Sequence, residues 1–208
     1  ACQLTEAATQ AGADAILSVA PYYNKPPQTG LLAHFRAVAQ STDLPVILYN
    51  VPGRTVTDIA DDTTLELAEV SNIVGIKDAT GNLERAKYLL KQRPNGFAVY
   101  SGDDPTAMEL CLLGGDGDIS VTANVAPQLM AQMIEFAMAG KRAEAQALNE
   151  KLLGLHSKLF LEPNPIPSKW ALSAMGLMRA DCRLPLVPLT DEGQHAVRQA
   201  CEQAGISL

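Results

Sequence analysis

The sequence predicts an α/β protein built on a parallel sheet, and three observations carry that expectation. Short apolar runs rich in β-branched residues alternate with segments whose apolar residues recur every three or four positions. The runs are nearly continuous in apolar character, which is how a strand reads when both of its faces are covered. Residues able to do chemistry collect at the C-terminal ends of those runs: Tyr22-Tyr23, Tyr49-Asn50, Lys77-Asp78, Gly102-Asp103, Ser120 and Thr122. In α/β folds that edge carries the site.

The elements follow in order. The opening ACQLTEAATQAGADA reads as an amphipathic helix, without the basic start and apolar stretch of a secretory signal. A chain that opens on Ala is expected to be processed or truncated. The first strand is AILSVAPYY, from Ala15, and a helix over 30–40 follows. PVILYNV, from Pro45, is the second strand, with a helix over 63–70 behind it. IVGIKDA, from Ile73, is the third; the next helix begins near Asn82, whose side chain can cap it. FAVYSGDD, from Phe97, leads into a helix over 105–113, with Asp104 as N-cap and Gly114-Gly115 as the stop. DISVTAN, from Asp118, is the fifth strand. Beyond it the pattern is helical, over 127–139, 142–160, 168–175 and 191–204. Two architectures fit these strands: a complete doubly wound sheet, or a (β/α)8 barrel lacking three units, which would occupy roughly 80 residues.

Composition narrows the function. The 208 residues, 47% of them hydrophobic, suffice for one sizeable core or two small domains. A net charge of −7 disfavours nucleic acid and anionic membranes as partners. No apolar run approaches the roughly 20 residues of a membrane span. Cys2, Cys111, Cys182 and Cys201 are scattered without CxxC spacing, as expected of free thiols in a cytoplasmic protein.

Lys77 is the sharpest chemical signal. Burial in an apolar strand penalises an ammonium, and a neutral amine is what attacks a carbonyl to form an imine. A lysine that merely reaches water or pairs with Asp78 fits the same position. Tyr49, at a strand end before a Pro-Gly turn, can present a proton-shuttling phenol. Arg54, just beyond that turn, can hold a carboxylate. Taken alone, each is better explained otherwise, Tyr49 by packing and Arg54 by a solvated turn; two such constellations at neighbouring strand ends favour chemistry. Tyr22 and Tyr23, in PYYNKPP, read as a rigid aromatic loop suited to packing or an interface. Asp103, Asp104, Asp116 and Asp118 lack the spacing of a calcium loop, and His34, His156 and His195 share no ligand spacing. No metal site is expected.

Taken together, APYYNKP, LYNVPGRT, GIKDATGN, YSGDD, GGDGDISVTANVAP, LEPNPIPSKWA and RLPLVPLT resemble, in order and spacing, the bacterial dihydrodipicolinate synthases. The likeness covers essentially the whole chain. It implies a TIM (β/α)8 barrel of which only the last five βα units are present, over residues 1–140, with a C-terminal helical extension over 141–208. It implies that Lys77 forms an imine with pyruvate and that Tyr49 relays protons. Tyr23 would join the relay from a neighbouring subunit. Arg54 would bind the carboxylate of L-aspartate 4-semialdehyde, the backbone at Ile119 would contact pyruvate, and Tyr22 would belong to a feedback pocket for L-lysine. The product would be 4-hydroxy-tetrahydrodipicolinate, made without a cofactor by a homotetramer that is a dimer of dimers. Asp78 stands where the family usually has Glu. The family's adjacent threonines have no counterpart here, so these residues alone are expected to be inactive. A pyruvate aldolase acting on N-acetylneuraminate or 2-keto-3-deoxy sugar acids is the alternative enzyme. A truncated paralogue that only binds pyruvate or a partner subunit is the alternative without activity.

Overall fold

Five parallel strands lie side by side in chain order: β1 (Ile16–Val19), β2 (Val46–Asn50), β3 (Ile73–Asp78), β4 (Ala98–Ser101) and β5 (Gly117–Asp118). The structure, a computed structural model, describes residues 1–208. Helices α1 (Cys2–Gln10), α2 (Gln28–Gln40), α3 (Pro52–Thr55), α4 (Asp61–Ala68) and α5 (Leu83–Gln92) belong with the strands to one compact unit. A second unit holds α6 (Asp104–Leu112), α7 (Pro127–Met138), α8 (Arg142–Lys158), α9 (Ile166–Ala174) and α10 (Asp191–Gln203).

In the first unit the pleat sorts the strand residues. Leu48, Ile76 and Val99 sit in register on neighbouring strands and are fully buried. They form one cluster with Leu31, Phe35 and Val38 of α2, Leu67 of α4 and Leu89 of α5. Truncating Leu48 or Ile76 to Ala costs about 2–5 kcal/mol on this account. The same alternation turns the intervening residues to the opposite face, where Leu17 and Val19 remain 47% and 39% exposed. Asn82 caps α5 as expected, accepting from the backbone N–H groups of Glu84 and Arg85 at 3.0 and 3.1 Å.

In the second unit Met108, Met130, Met133, Leu152, Leu155, Leu159 and Val197 make the core. His156 is buried there, its Nδ1 2.9 Å from Thr122 Oγ1 and its Nε2 3.3 Å from Asn149 Oδ1.

Three local expectations are corrected. DISVTAN is not a strand throughout: β5 ends at Asp118, and Thr122–Asn124 wind into a 3-10 turn. The Ile119 N–H still donates to Ser101 O at 2.9 Å. Beyond it, Ser120 Oγ accepts from the Ala123 N–H at 2.8 Å, and such local bonds compete with a ladder. Asp104 is not the N-cap but the first residue of α6; its Oδ2 accepts from the N–H groups of Val121 and Thr122 at 3.2 and 2.8 Å. The Pro-Gly turn after β2 is a one-turn helix, α3, with Pro52 at its start and Val56 left-handed at its end, φ 59°.

Candidate active site

One row of residues crosses the sheet face opposite the one that α2, α4 and α5 cover. Strand register places Val19, Tyr49, Lys77, Tyr100 and Gly117 next to one another. Lys77 therefore stands between two tyrosines on adjacent strands, and all three are half-buried. Lys77 Nζ lies 4.3 Å from the centroid of the Tyr49 ring. A π-face at that distance attracts an ammonium, so the amine is held against the ring.

Burial raises the pKa of the Tyr49 phenol, and the positive charge of Arg54 opposes that rise. The phenol is therefore protonated at neutral pH and can donate. Arg54 lies on α3 in an exposed position. Ile119 is tied by its backbone to the end of β4, as described above. Tyr22 and Tyr23 follow β1 and project into solvent, 70% and 90% exposed. Tyr23 adopts φ 70°, an uncommon conformation for a bulky residue. The structure thus brings Lys77 and Tyr49 together, sets the Arg54 charge where Tyr49 senses it, and leaves the two loop tyrosines in solvent.

Behind the row lies a polar network that sequence reasoning missed. Asp78, one residue after Lys77, points to the opposite face and is 4% exposed. Its Oδ2 accepts from Arg85 Nε at 3.1 Å and from Thr80 Oγ1 at 3.0 Å. Arg85 also binds the Asp61 carboxylate and donates from Nη2 to Ile59 O at 2.8 Å. Asn50 closes the ring: its Oδ1 accepts from the Ile59 N–H at 3.0 Å and its Nδ2 donates to Asp58 Oδ1 at 2.7 Å. Both peptide groups of Ile59 are pinned, so the segment that carries Arg54 away from β2 returns to a fixed point. Burial raises the pKa of Asp78, against the pull of Arg85 and then of its hydrogen bonds from Thr80 and Asn50. Tyr100 and Gly102 were also missed as neighbours of Lys77. The run from Phe97 gave Tyr100 a face but no partner; the register supplies the partner.

The motif likeness is matched by comparison with known proteins. The family model described as the dihydrodipicolinate synthetase family matches residues 1–204. The chain belongs to this family. Among curated members, the 4-hydroxy-tetrahydrodipicolinate synthase of Nitrosomonas eutropha is 57% identical over all 208 residues, which span 71% of that protein. A crystal structure of the chloride-inhibited dihydrodipicolinate synthase from Acinetobacter baumannii, complexed with pyruvate, superposes with a TM-score of 0.96 at 53% identity, covering 99% of this chain and 71% of that one. The enzyme of Cyanidioschyzon merolae with lysine bound is 40% identical with a TM-score of 0.95, covering 99% of this chain and 70% of that one. Membership makes the chain an enzyme, a lyase of lysine (diaminopimelate) biosynthesis, and its α/β fold matches structures of the family's barrel enzymes. No helix is long and apolar enough to cross a membrane.

Proposed function

We propose that Lys77 is the amine that activates pyruvate for condensation with L-aspartate 4-semialdehyde. The observation that carries this reading is the Lys77 amine lying against the Tyr49 ring, at one register level of a parallel sheet. Once the Lys77 ammonium has given up its proton, the amine attacks the pyruvate carbonyl carbon, and the carbinolamine loses water to give the imine. Loss of a methyl proton gives the enamine, whose carbon attacks the aldehyde carbon of the second substrate. The amino group of that substrate then attacks the imine carbon and expels the Lys77 amine. The ring so closed is 4-hydroxy-tetrahydrodipicolinate.

Tyr49, kept protonated by burial, donates to the carbinolamine oxygen as water leaves. Arg54, on the turn beside Tyr49, holds the carboxylate of the semialdehyde, and the backbone at Ile119 contacts pyruvate. The exposed Tyr23 completes the relay from a neighbouring subunit, and Tyr22 joins an L-lysine feedback pocket in a homotetramer. The five strands are the fourth to eighth of a (β/α)8 barrel over residues 1–140, with residues 141–208 as its helical extension. Their unbroken spatial order and the 71% coverage of barrel relatives support that assignment.

Borohydride trapping tests the central step. In the full-length enzyme with pyruvate, the reduced adduct is expected on the peptide containing GIKDATG. Lys77→Arg, which stays protonated, is expected to lose it. An adduct on another lysine of the Lys77→Arg protein would falsify the assignment.

A further inference from the structure

Gly102 follows β4 by one residue, and its N–H donates to Asp78 O at 2.8 Å, which holds it beside the strand of Lys77. Its backbone is not in the left-handed region, so conformation does not demand glycine there. Space does. A Cβ at position 102 would stand 2.7 Å from Lys77 Cε, 3.0 Å from Lys77 Cγ and 3.0 Å from Ala79 Cβ. The amine beyond Cε is held against the Tyr49 ring at 4.3 Å. The lysine stem therefore runs over bare backbone at one point and ends on an aromatic face at the other.

We propose that Gly102 is a positioning residue for the imine-forming amine, an inference that rests on Lys77 being the amine that takes pyruvate. Any side chain at 102 occupies the volume of the Lys77 stem. Carbon atoms pack at about 3.5–4.0 Å, so alanine displaces Cε by about 1 Å. The stem is flexible, so the protein still folds, at a measurable cost in Tm, while the amine leaves its place. Misplacement on this scale costs on the order of a hundredfold in rate. Gly75 supplies a contrast: a Cβ there meets Ala98 O at 2.8 Å, a backbone atom that cannot turn aside, and its three nearest neighbours all belong to Ala98.

The experiment uses the full-length enzyme and reads the rate of borohydride-trapped pyruvate adduct in wild type, Gly102→Ala, Gly102→Ala with Ala79→Gly, and Gly75→Ala. Gly102→Ala is expected to slow trapping on Lys77 by on the order of ten- to a hundredfold. Ala79→Gly, which removes the other close contact, is expected not to restore the rate. Gly75→Ala is expected to lower Tm and trap at the wild-type rate per folded molecule. Thermal melts of Gly102→Ala in wild-type and Lys77→Ala backgrounds complete a double-mutant cycle. The Tm penalty is expected to shrink once Cε is gone. Wild-type trapping by Gly102→Ala, rescue by Ala79→Gly, or an equal penalty in both backgrounds would each overturn the proposal. A wild-type enzyme that traps no pyruvate would remove Lys77 as the amine, and this inference with it. The melt cycle would still report whether the two residues touch.

Discussion

Replacing Arg85 with Met removes the only cation of the buried network behind Lys77 and keeps most of the side-chain volume. The Arg85 and Asp78 side chains are 8% and 3% exposed, whereas that of Asp61 is 34% exposed and can turn to water. Breaking a buried pair by deleting one partner costs about 3–5 kcal/mol. Measured in the full-length enzyme, at about 2–4 °C of Tm per kcal/mol, the expected loss is roughly 6–20 °C. The exposed pair Arg36–Glu66, at 2.6 Å with both side chains about half exposed, is the control; Arg36→Ala should cost at most about 1 kcal/mol. The pH dependence identifies the group left behind. Asp78 already has a raised pKa because burial outweighs its partners. A carboxyl raised in the fold contributes stability fully below its ordinary value of 3.8, and loses it as pH climbs through the folded value. Without Arg85 the folded value rises further, so the variant goes on losing stability after the wild type has stopped. The Tm gap should stay level while Asp78 is protonated in both proteins. It should widen as pH passes the wild-type value and approaches the variant's. Melts by circular dichroism across that range decide it. A gap that is constant or narrows with rising pH would mean that Asp78 is not the charge Arg85 offsets.

Arg54→Ala in the full-length enzyme should raise KM for L-aspartate 4-semialdehyde and leave that for pyruvate nearly unchanged. Losing a bidentate charged hydrogen bond is worth about 2–3 kcal/mol, or roughly 30- to 150-fold. Equal rises for both substrates would make Arg54 structural, and robust cleavage of N-acetylneuraminate would favour a sugar-acid aldolase. The 208 residues expressed alone should associate and show no turnover, because β1 and β5 each pair on one side only and present free N–H and C=O groups. Light scattering and a coupled assay check this; an active monomer with a sharp melt would refute it.

What was legible in the sequence follows from which forces act locally. The apolar runs of β1 to β4 announce strands because burial on both faces leaves a continuous signature, and Asn82 announces a helix start because its cap acts on the next three residues. The fifth run misleads because Ser120 acts on its own neighbours while Val121 and Thr122 answer to Asp104, 17 and 18 positions away. Lys77 stands out because a lysine in an apolar strand needs a reason. Tyr49 stands out because it ends a strand before a turn. Alternation within a run says which face a residue takes, but not which residue of the next strand lies beside it. Tyr100 thus goes unnoticed beside Lys77, and Gly102 is placed at a strand end without any sign that the lysine stem crosses it. Nothing local marks Arg85 as buried, and it takes the folded chain to bring Asp61, Asp78 and Ile59 O around it.

The neighbouring residues Lys77 and Asp78 tie stability to chemistry through the pleat. Because successive side chains point to opposite faces, the amine stands on the open face while the next carboxylate is locked into the network behind. That network reaches β2 through Asn50, and Asn50 stands opposite Asp78 in the ladder. A slip of one residue between β2 and β3 would carry Tyr49 away from Lys77. It would also turn Asp78 out of reach of Arg85 and leave the guanidinium buried without that partner. The alternative register therefore costs Arg85 its buried partner and leaves it only the part-exposed Asp61 carboxylate and Ile59 O, beyond the lost apolar packing. The network that pins the Arg54 turn also specifies the register that sets the amine against the phenol.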